Sequence, residues 1–283
     1  MNADIIPSFI SAMEATGMRP TEPIADRLGP DLIRFACEGD GTGKRNGWAV
    51  LYNDGRPAGA FGNYRLQIRE TWKAEGFEPL SPTERRERAA EYRRQKEERD
   101  AARVAGQLEA AERCRERWNR AAAIDGLHPY LTKKRITGEG LKQEGNRLLV
   151  PMFDSDGVLW NLQTIWPDGG KRFAKGGRQD ELFLVLGQVE AMICIGEGYA
   201  TCAVARRATG GAVAVAFSAN NLTATALACT GMFPDADIVV LADDDAHLVD
   251  HPQIRRNVGV DAANAAAAAV GGRVALPPRG VAA

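Results

Sequence analysis

Two short stretches decide the fold of this chain: Met192-Ile193-Cys194-Ile195-Gly196-Glu197-Gly198 and Ile238-Val239-Val240-Leu241-Ala242-Asp243-Asp244-Asp245. Each is a continuous apolar run that ends abruptly in carboxylates. An unbroken run of four or five aliphatic residues is the mark of a strand covered on both faces, not of one that alternates between core and water. Between and beyond them, further apolar runs at 212–217 and 273–276 alternate with helix-like segments starting near Tyr199, Leu222 and Val258. The order β-α-β-α-β-α-β over residues 191–276 predicts a mostly parallel sheet with helices on both faces, an α/β fold.

Working outward, the preceding 190 residues are less regular. Residues 1–72 read as a small α+β module: Ile5, Ile6, Phe9, Ile10 and Met13 recur at helical spacing, 48–52 is a strand, Asn53-Asp54-Gly55 a hairpin turn, and 58–61 the return strand. Residues 73–120 form a charged helical linker. Its part from 81 to 120 holds 12 basic and 9 acidic residues, opened by Ser81-Pro82-Thr83-Glu84, and reads as one helix, or two broken near Gly106. Residues 121–190 are a second α+β segment, with strands at 147–153 and 158–166. A turn at Asp168-Gly169-Gly170 leads into Lys171, Arg172, Lys175 and Arg178, a run without an acid. Residues 277–283 read as a tail.

Near-equal totals of 36 Lys+Arg and 37 Asp+Glu exclude a uniformly basic nucleic-acid coat, but not a binder with segregated charges. The stretch 191–250 has 2 basic and 7 acidic residues, so the signs are indeed separated along the chain. Five scattered cysteines (Cys37, Cys114, Cys194, Cys202, Cys229) and three histidines provide no close ligand pairs, which argues against zinc and fits a reducing cytoplasm. No apolar run is long enough to span a membrane.

Chemistry concentrates where strands end, because open α/β sheets bind ligands beyond the carboxyl ends of their strands. Glu197 after one strand and Asp243, Asp244 and Asp245 after another would converge there if the strands are neighbours. In extended backbone Asp243 and Asp245 project to the same side. Three hard oxygen donors suit Mg²⁺ or Mn²⁺. His247 and His251 follow closely and read as exposed loop residues, with contact to metal or phosphate as the alternative. Trp48, Trp160 and Trp166 read as core residues of strands, with stacking on bases as the alternative. The glycine-rich 39–45 segment fails as a phosphate loop, because Arg45 stands where Ser or Thr is needed.

Ile195-Gly196-Glu197-Gly198-Tyr199-Ala200-Thr201, Val215-Ala216-Phe217-Ser218-Ala219-Asn220-Asn221-Leu222, the Asp243-Asp244-Asp245 strand end, and Asn257-Val258-Gly259 before an alanine-rich helix together resemble the toprim domain. They resemble most the primase-like proteins of conjugative plasmids and phages. Weaker echoes are Gly47-Trp48, 57–62 and His128-Pro129-Tyr130-Leu131. The resemblance implies a DNA primase-like nucleotidyltransferase that makes short RNA primers on single-stranded DNA from nucleoside triphosphates. Glu197, Asp243 and Asp245 would be its catalytic and metal-ligating residues, Mg²⁺ or Mn²⁺ its cofactor, and a replicative helicase its candidate partner. Lys171, Arg172, Lys175 and Arg178 would hold template or nucleotide phosphates. The N-terminal module is a candidate DNA contact in place of the zinc ribbon that many such enzymes carry. Two alternatives stay open: a toprim nuclease using the same carboxylates, and a non-catalytic DNA-binding recombination mediator.

Overall fold

The computed structural model describes residues 5–53, 56–76, 81–246 and 256–276. They group into two compact units, the first formed by the described residues up to 90 and the second by those from 91 on.

In the first unit, helix α1 (Ile5–Ala15) lies against a four-stranded antiparallel meander of β1 (Ile33–Phe35), β2 (Gly47–Tyr52), β3 (Ala58–Asn63) and β4 (Ile68–Lys73). The apolar residues of α1 at positions 5, 9 and 13 fall on one face. Phe9 meets Phe61 and Trp72 edge-on at 5.6 and 5.3 Å. Met13, Met18, Phe35, Ala49 and Leu51 complete this core. The ring of Phe9 comes so close to β3 that a Cβ on Gly59 would lie 2.6 Å from it, so glycine is required there. The helix and the two central strands match the reading from sequence. The tip of the expected hairpin, Asp54-Gly55, lies outside the described residues, but Tyr52 opposite Ala58 shows the pairing on either side of it.

Helix α2 (Pro82–Arg120) is continuous through Gly106. It starts with a reciprocal capping box: Glu84 N–H donates to Ser81 Oγ at 3.3 Å, and Ser81 N–H donates to the Glu84 carboxylate at 2.8 Å. Only Ala110, Ala111 and Cys114 are buried. The rest is held by same-face ion pairs such as Arg94 with Glu91 and Arg103 with Asp100, each a small contribution on an exposed helix.

The second unit has two sheets. After α3 (Pro129–Lys134), β5 (Lys142–Glu144), β6 (Arg147–Phe153), β7 (Leu159–Ile165) and β8 (Lys171–Phe173) form an antiparallel sheet in sequence order. Cys114 and neighbouring α2 residues pack on one of its faces against Leu149, Leu159 and Leu162. Leu148, Val150, Met152 and Ile165 face the other way, into the largest core.

That core is shared with the α/β sheet: β9 (Leu184–Leu186), β10 (Met192–Gly196), α4 (Tyr199–Thr209), β11 (Ala212–Val215), α5 (Leu222–Met232), β12 (Asp237–Leu241), α6 (Val258–Val270) and β13 (Arg273–Ala275). The strand order is β13-β12-β10-β11-β9, with four strands parallel. Side-chain alternation divides the strands between two cores. Cys194, Val213 and Val215 face α4 and the antiparallel sheet, while Ile193, Ile195, Ala212, Ala214 and Val240 face α5 and α6. All four strands read from sequence are present. The added β9 runs antiparallel on the edge of β11. Among the described residues no helix is long and apolar enough to cross a membrane.

Candidate active site at the carboxyl edge of the parallel sheet

From β10 the chain leaves by α4 to β11 on one side, and from β11 it crosses by α5 to β12 on the other. The sheet therefore reverses direction at β10, the position where α/β sheets open a ligand crevice. Ile195 is opposite Val240, so the ends of β10 and β12 lie side by side. This adjacency brings together the two carboxylate-bearing ends.

Glu197 sits in the turn from β10 to α4. A Cβ on Gly196 would lie 2.8 Å from Cys202 Sγ and 3.4 Å from Leu241, so only glycine lets the strand end close against both α4 and β12. Gly198 is the helix N-cap. Tyr199, fully buried, donates its hydroxyl hydrogen bond to the Glu139 carbonyl at 2.7 Å and so fixes the first turn of α4.

The aspartate turn is held by the start of α6. Asn257 caps that helix by accepting the Val260 N–H at 3.3 Å. The same side-chain oxygen accepts the Asp245 N–H at 3.0 Å, and its amide donates to Asp244 at 2.7 Å. Asp245 in turn accepts the Gly259 N–H at 3.1 Å, a negative group on the helix N-terminus beside the Asn257 cap. One Asp245 oxygen is thus committed to α6. Among the described residues no three His, Cys, Asp or Glu side chains close around a common point tightly enough to hold an ion. Asn257→Ala removes the cap and both contacts to the turn. It should cost about 1–2 kcal/mol in chemical denaturation, with a larger fractional loss of any activity that depends on Asp245.

The electrostatics tie the carboxylates into one group. Burial, then the charges of Asp243 and Asp245, push the Glu197 carboxyl above its usual range, with Lys171 partly opposing. Burial and Asp245 push Asp243 up in the same way, again opposed by Lys171. Lys171 itself, at the start of β8, has exposed surface. Even so, the protein crowding its ammonium, and then Lys134, lower its pKa, while Glu197 and Asp243 act against them. Half-buried like charges and hard oxygen donors fit a divalent cation that keeps waters or phosphate oxygens as its remaining ligands.

The four members of the basic run sit in different surroundings. The charge of Lys171 acts on Glu197 and Asp243. Arg178 is ion-paired to Glu181 at 2.8 Å, donates to the Asp180 carbonyl, and stacks 5.3 Å from the Trp160 ring. Lys175 borders a groove beside α2 with Arg113 and Arg117. Arg172 is exposed opposite Thr164. His247 and His251 lie outside the described residues. Trp160 is held by Asp154 through its indole N–H at 2.6 Å.

Three contributors were not read from sequence. Asn221 bolts the β11 end to the loop before β9: its amide donates to the Leu182 and Ala216 carbonyls at 2.7 and 2.9 Å, and its oxygen accepts the Glu181 N–H at 2.8 Å. Phe217, at the same edge, has φ +68°, a strained value for a bulky residue that the packing of Phe173 and the surrounding core must enforce. The buried Tyr130 hydroxyl has no hydrogen-bond partner among the described residues, and the Lys171 ammonium lies 5.9 Å from its ring. The sequence signals for the first two were residues inside the motif stretch. Nothing in the sequence marked the third beyond its place after His128-Pro129.

A parallel sheet with a glutamate after one strand and an Asp-x-Asp turn after its neighbour defines a class, and residues 192–280 match the family described as the toprim domain. This part of the chain is a toprim domain. Over most of its length the chain is also 37% identical to a DNA primase TraC of Escherichia coli over 262 residues, covering 86% of this chain and 24% of that protein. A second DNA primase TraC of Escherichia coli is 35% identical over 283 residues, covering 95% and 19%. The chain thus carries a toprim domain and is similar, over most of its length, to a part of these DNA primases. It spans about a quarter or less of the length of these relatives. The primase fragment of the bacteriophage T7 primase-helicase protein aligns over 56% of this chain and 64% of that one, at 15% identity and a TM-score of 0.38, too low to bear on function.

Proposed function

We propose that this chain is the catalytic part of a DNA primase, joining ribonucleotides into short primers on single-stranded DNA. The observation that carries the reading is the electrostatic coupling of Glu197, Asp243 and Asp245 across two adjacent strand ends of a toprim sheet, with Lys171 as the opposing charge. The similarity to DNA primase TraC supports the choice among toprim chemistries.

Glu197, Asp243 and Asp245 would hold Mg²⁺ or Mn²⁺. Bound there, the cation would neutralise the triphosphate and the charge that develops as pyrophosphate leaves. The residues have separate tasks. Glu197, whose carboxyl is raised above its usual range by burial and the neighbouring aspartates, is suited to accept the proton of the attacking 3′-hydroxyl, directly or through water. Asp243 provides the half-buried negative charge that makes the pocket selective for a cation. Asp245, tied to Gly259, keeps the turn against α6 while its other oxygen stays available. Lys171 meets phosphate oxygens from the opposite side of the crevice. A replicative helicase delivering the template is part of the same proposal.

Lys171→Ala should lower nucleotide incorporation at neutral pH by roughly tenfold, the loss of one charged contact. It should also move the acid limb of the pH–rate profile to higher pH, because Lys171 holds both carboxyls down. A profile that keeps its position would remove Lys171 from the site. The test of the reading itself is incubation with single-stranded DNA, labelled ribonucleotides and Mg²⁺ or Mn²⁺. Short oligoribonucleotides are expected. Template cleavage without synthesis would replace the primase by a nuclease, and binding without either would replace it by a mediator.

A further inference from the structure

The four-stranded sheet of the first unit has one covered face and one bare face. Phe35, Ala49, Leu51, Phe61 and Trp72 point toward α1. By strand alternation and register, the opposite face carries Arg34 on β1, Trp48, Val50 and Tyr52 on β2, Gly62, Ala60 and Ala58 on β3, and Arg69, Thr71 and Lys73 on β4. Three cations and no carboxylate occupy these outward positions. Arg69 and Lys73 are exposed and have no ion pair among the described residues.

Aromatic rings share this face. Tyr64, 56% exposed just after β3, lies 6.4 Å from Trp48, and the Arg34 guanidinium stacks 4.5 Å over the Tyr64 ring. Arg34 is fixed there by donating to the Arg45 carbonyl at 2.9 Å. Tyr52 stands four residues along β2 from Trp48, about 13 Å away. The intervening β3 positions are only Ala58, Ala60 and Gly62, so no bulky neighbour walls in the rings. A Cβ on Gly62 would already lie 2.7 Å from the Trp48 ring.

We infer that this outer face of β1–β4 is a platform for single-stranded DNA, with bases stacking on Trp48, Tyr64 and Tyr52 and phosphates meeting Arg34, Arg69 and Lys73. Rings with accessible faces beside unopposed cations are what unpaired bases on a charged backbone require. An acidic or apolar protein partner would leave either the cations or the rings without a use. The choice of DNA rests on the template role proposed above, whereas the surface itself does not.

The test is fluorescence anisotropy of a labelled oligo(dT) with the full chain, without nucleotides and in EDTA, so that it reads binding independently of catalysis. Tyr64→Ala should weaken binding roughly tenfold. Arg69→Glu with Lys73→Glu should weaken it by at least about tenfold and flatten its salt dependence. These three face residues are exposed, and a thermal melt checks that each variant folds. The unaltered chain gives a second readout: ultraviolet crosslinking to a bromodeoxyuridine-substituted strand should mark peptides containing Trp48, Tyr52 or Tyr64. Unchanged affinity and salt dependence in both variants, crosslinks confined to residues beyond 90, or tighter binding of oligo(rU) than of oligo(dT) would overturn the inference. A chain that binds as expected but makes no primer leaves this surface standing and removes the primase reading instead.

Discussion

Asp243→Asn should abolish primer synthesis, by roughly 10³-fold or more, while making the cation-free protein more stable. The two effects have one cause. Glu197 is held above its usual carboxyl range by burial and by the charges of Asp243 and Asp245, and Asp243 by burial and the charge of Asp245. The native state therefore binds their protons more tightly than the unfolded chain does. A raised carboxyl pKa adds stability at low pH that is lost as pH rises from the ordinary carboxylate value through the raised one. At neutral pH and without a cation the site is thus a standing cost to the fold. An amide of the same shape removes that charge. In EDTA the variant should melt about 2–4 °C higher, the response of a domain of this size to about 1 kcal/mol. Added Mg²⁺ should raise the melting temperature of the unaltered chain and leave the variant where it was. Loss of activity equivalent to about 4 kcal/mol follows from losing a buried ligand to the ion. A variant that melts lower in EDTA would show that Asp243 is structural.

Gly259→Ala should have the second largest effect, although Gly259 carries no chemistry. Its Cβ would lie 2.3 Å from the Asp243 carbonyl oxygen and 3.2 Å from the Asp243 Cβ. Both are on backbone or at its root, so no side-chain rotation relieves the clash. Either α6 or the aspartate turn must move by about 1 Å, and a displacement of that size at reacting groups costs on the order of 10²-fold in rate. Overpacking should cost about 1–3 kcal/mol of stability as well. Gly231→Ala, where the new methyl meets nothing within 4 Å in α5, should be neutral or slightly stabilising and serves as the control. Primer synthesis and urea denaturation on the two variants separate these outcomes. Equal activities would mean that the turn does not need α6 for its position.

The toprim sheet was legible because its strands are buried on both faces, so Ile193–Ile195 and Ile238–Leu241 are apolar without interruption and their ends are marked by carboxylates. β9 was not, because three residues in a loop-rich stretch have no period. β4 was missed for another reason: its outward Arg69, Thr71 and Lys73 and its edge residue Glu70 leave only Ile68 and Trp72 to signal a strand. Glu197, Asp243 and Asp245 could be named in advance, since two strand ends of one parallel unit must share an edge. Which strands were neighbours, and hence that Glu197 and Asp243 would couple, came only from the order β12-β10-β11. The basic run was read as a unit because its members are consecutive. In the structure Lys171, on another sheet, lies near enough for its charge to act on the carboxylates, while Arg178 pairs with Glu181 and stacks on Trp160. A charge's partner depends on tertiary placement, which spacing along the chain does not encode.

The central claim is that Glu197, Asp243 and Asp245 hold one catalytic divalent cation at the edge of the parallel sheet. Replacing Mg²⁺ by Fe²⁺ and adding ascorbate and peroxide generates hydroxyl radicals at the bound ion, which cut the backbone beside its ligands. The account predicts cuts at residues 196–198 and 243–245, suppressed by excess Mg²⁺ and absent in Asp243→Asn. Cuts elsewhere, or cuts at these positions that persist in Asp243→Asn, would contradict it.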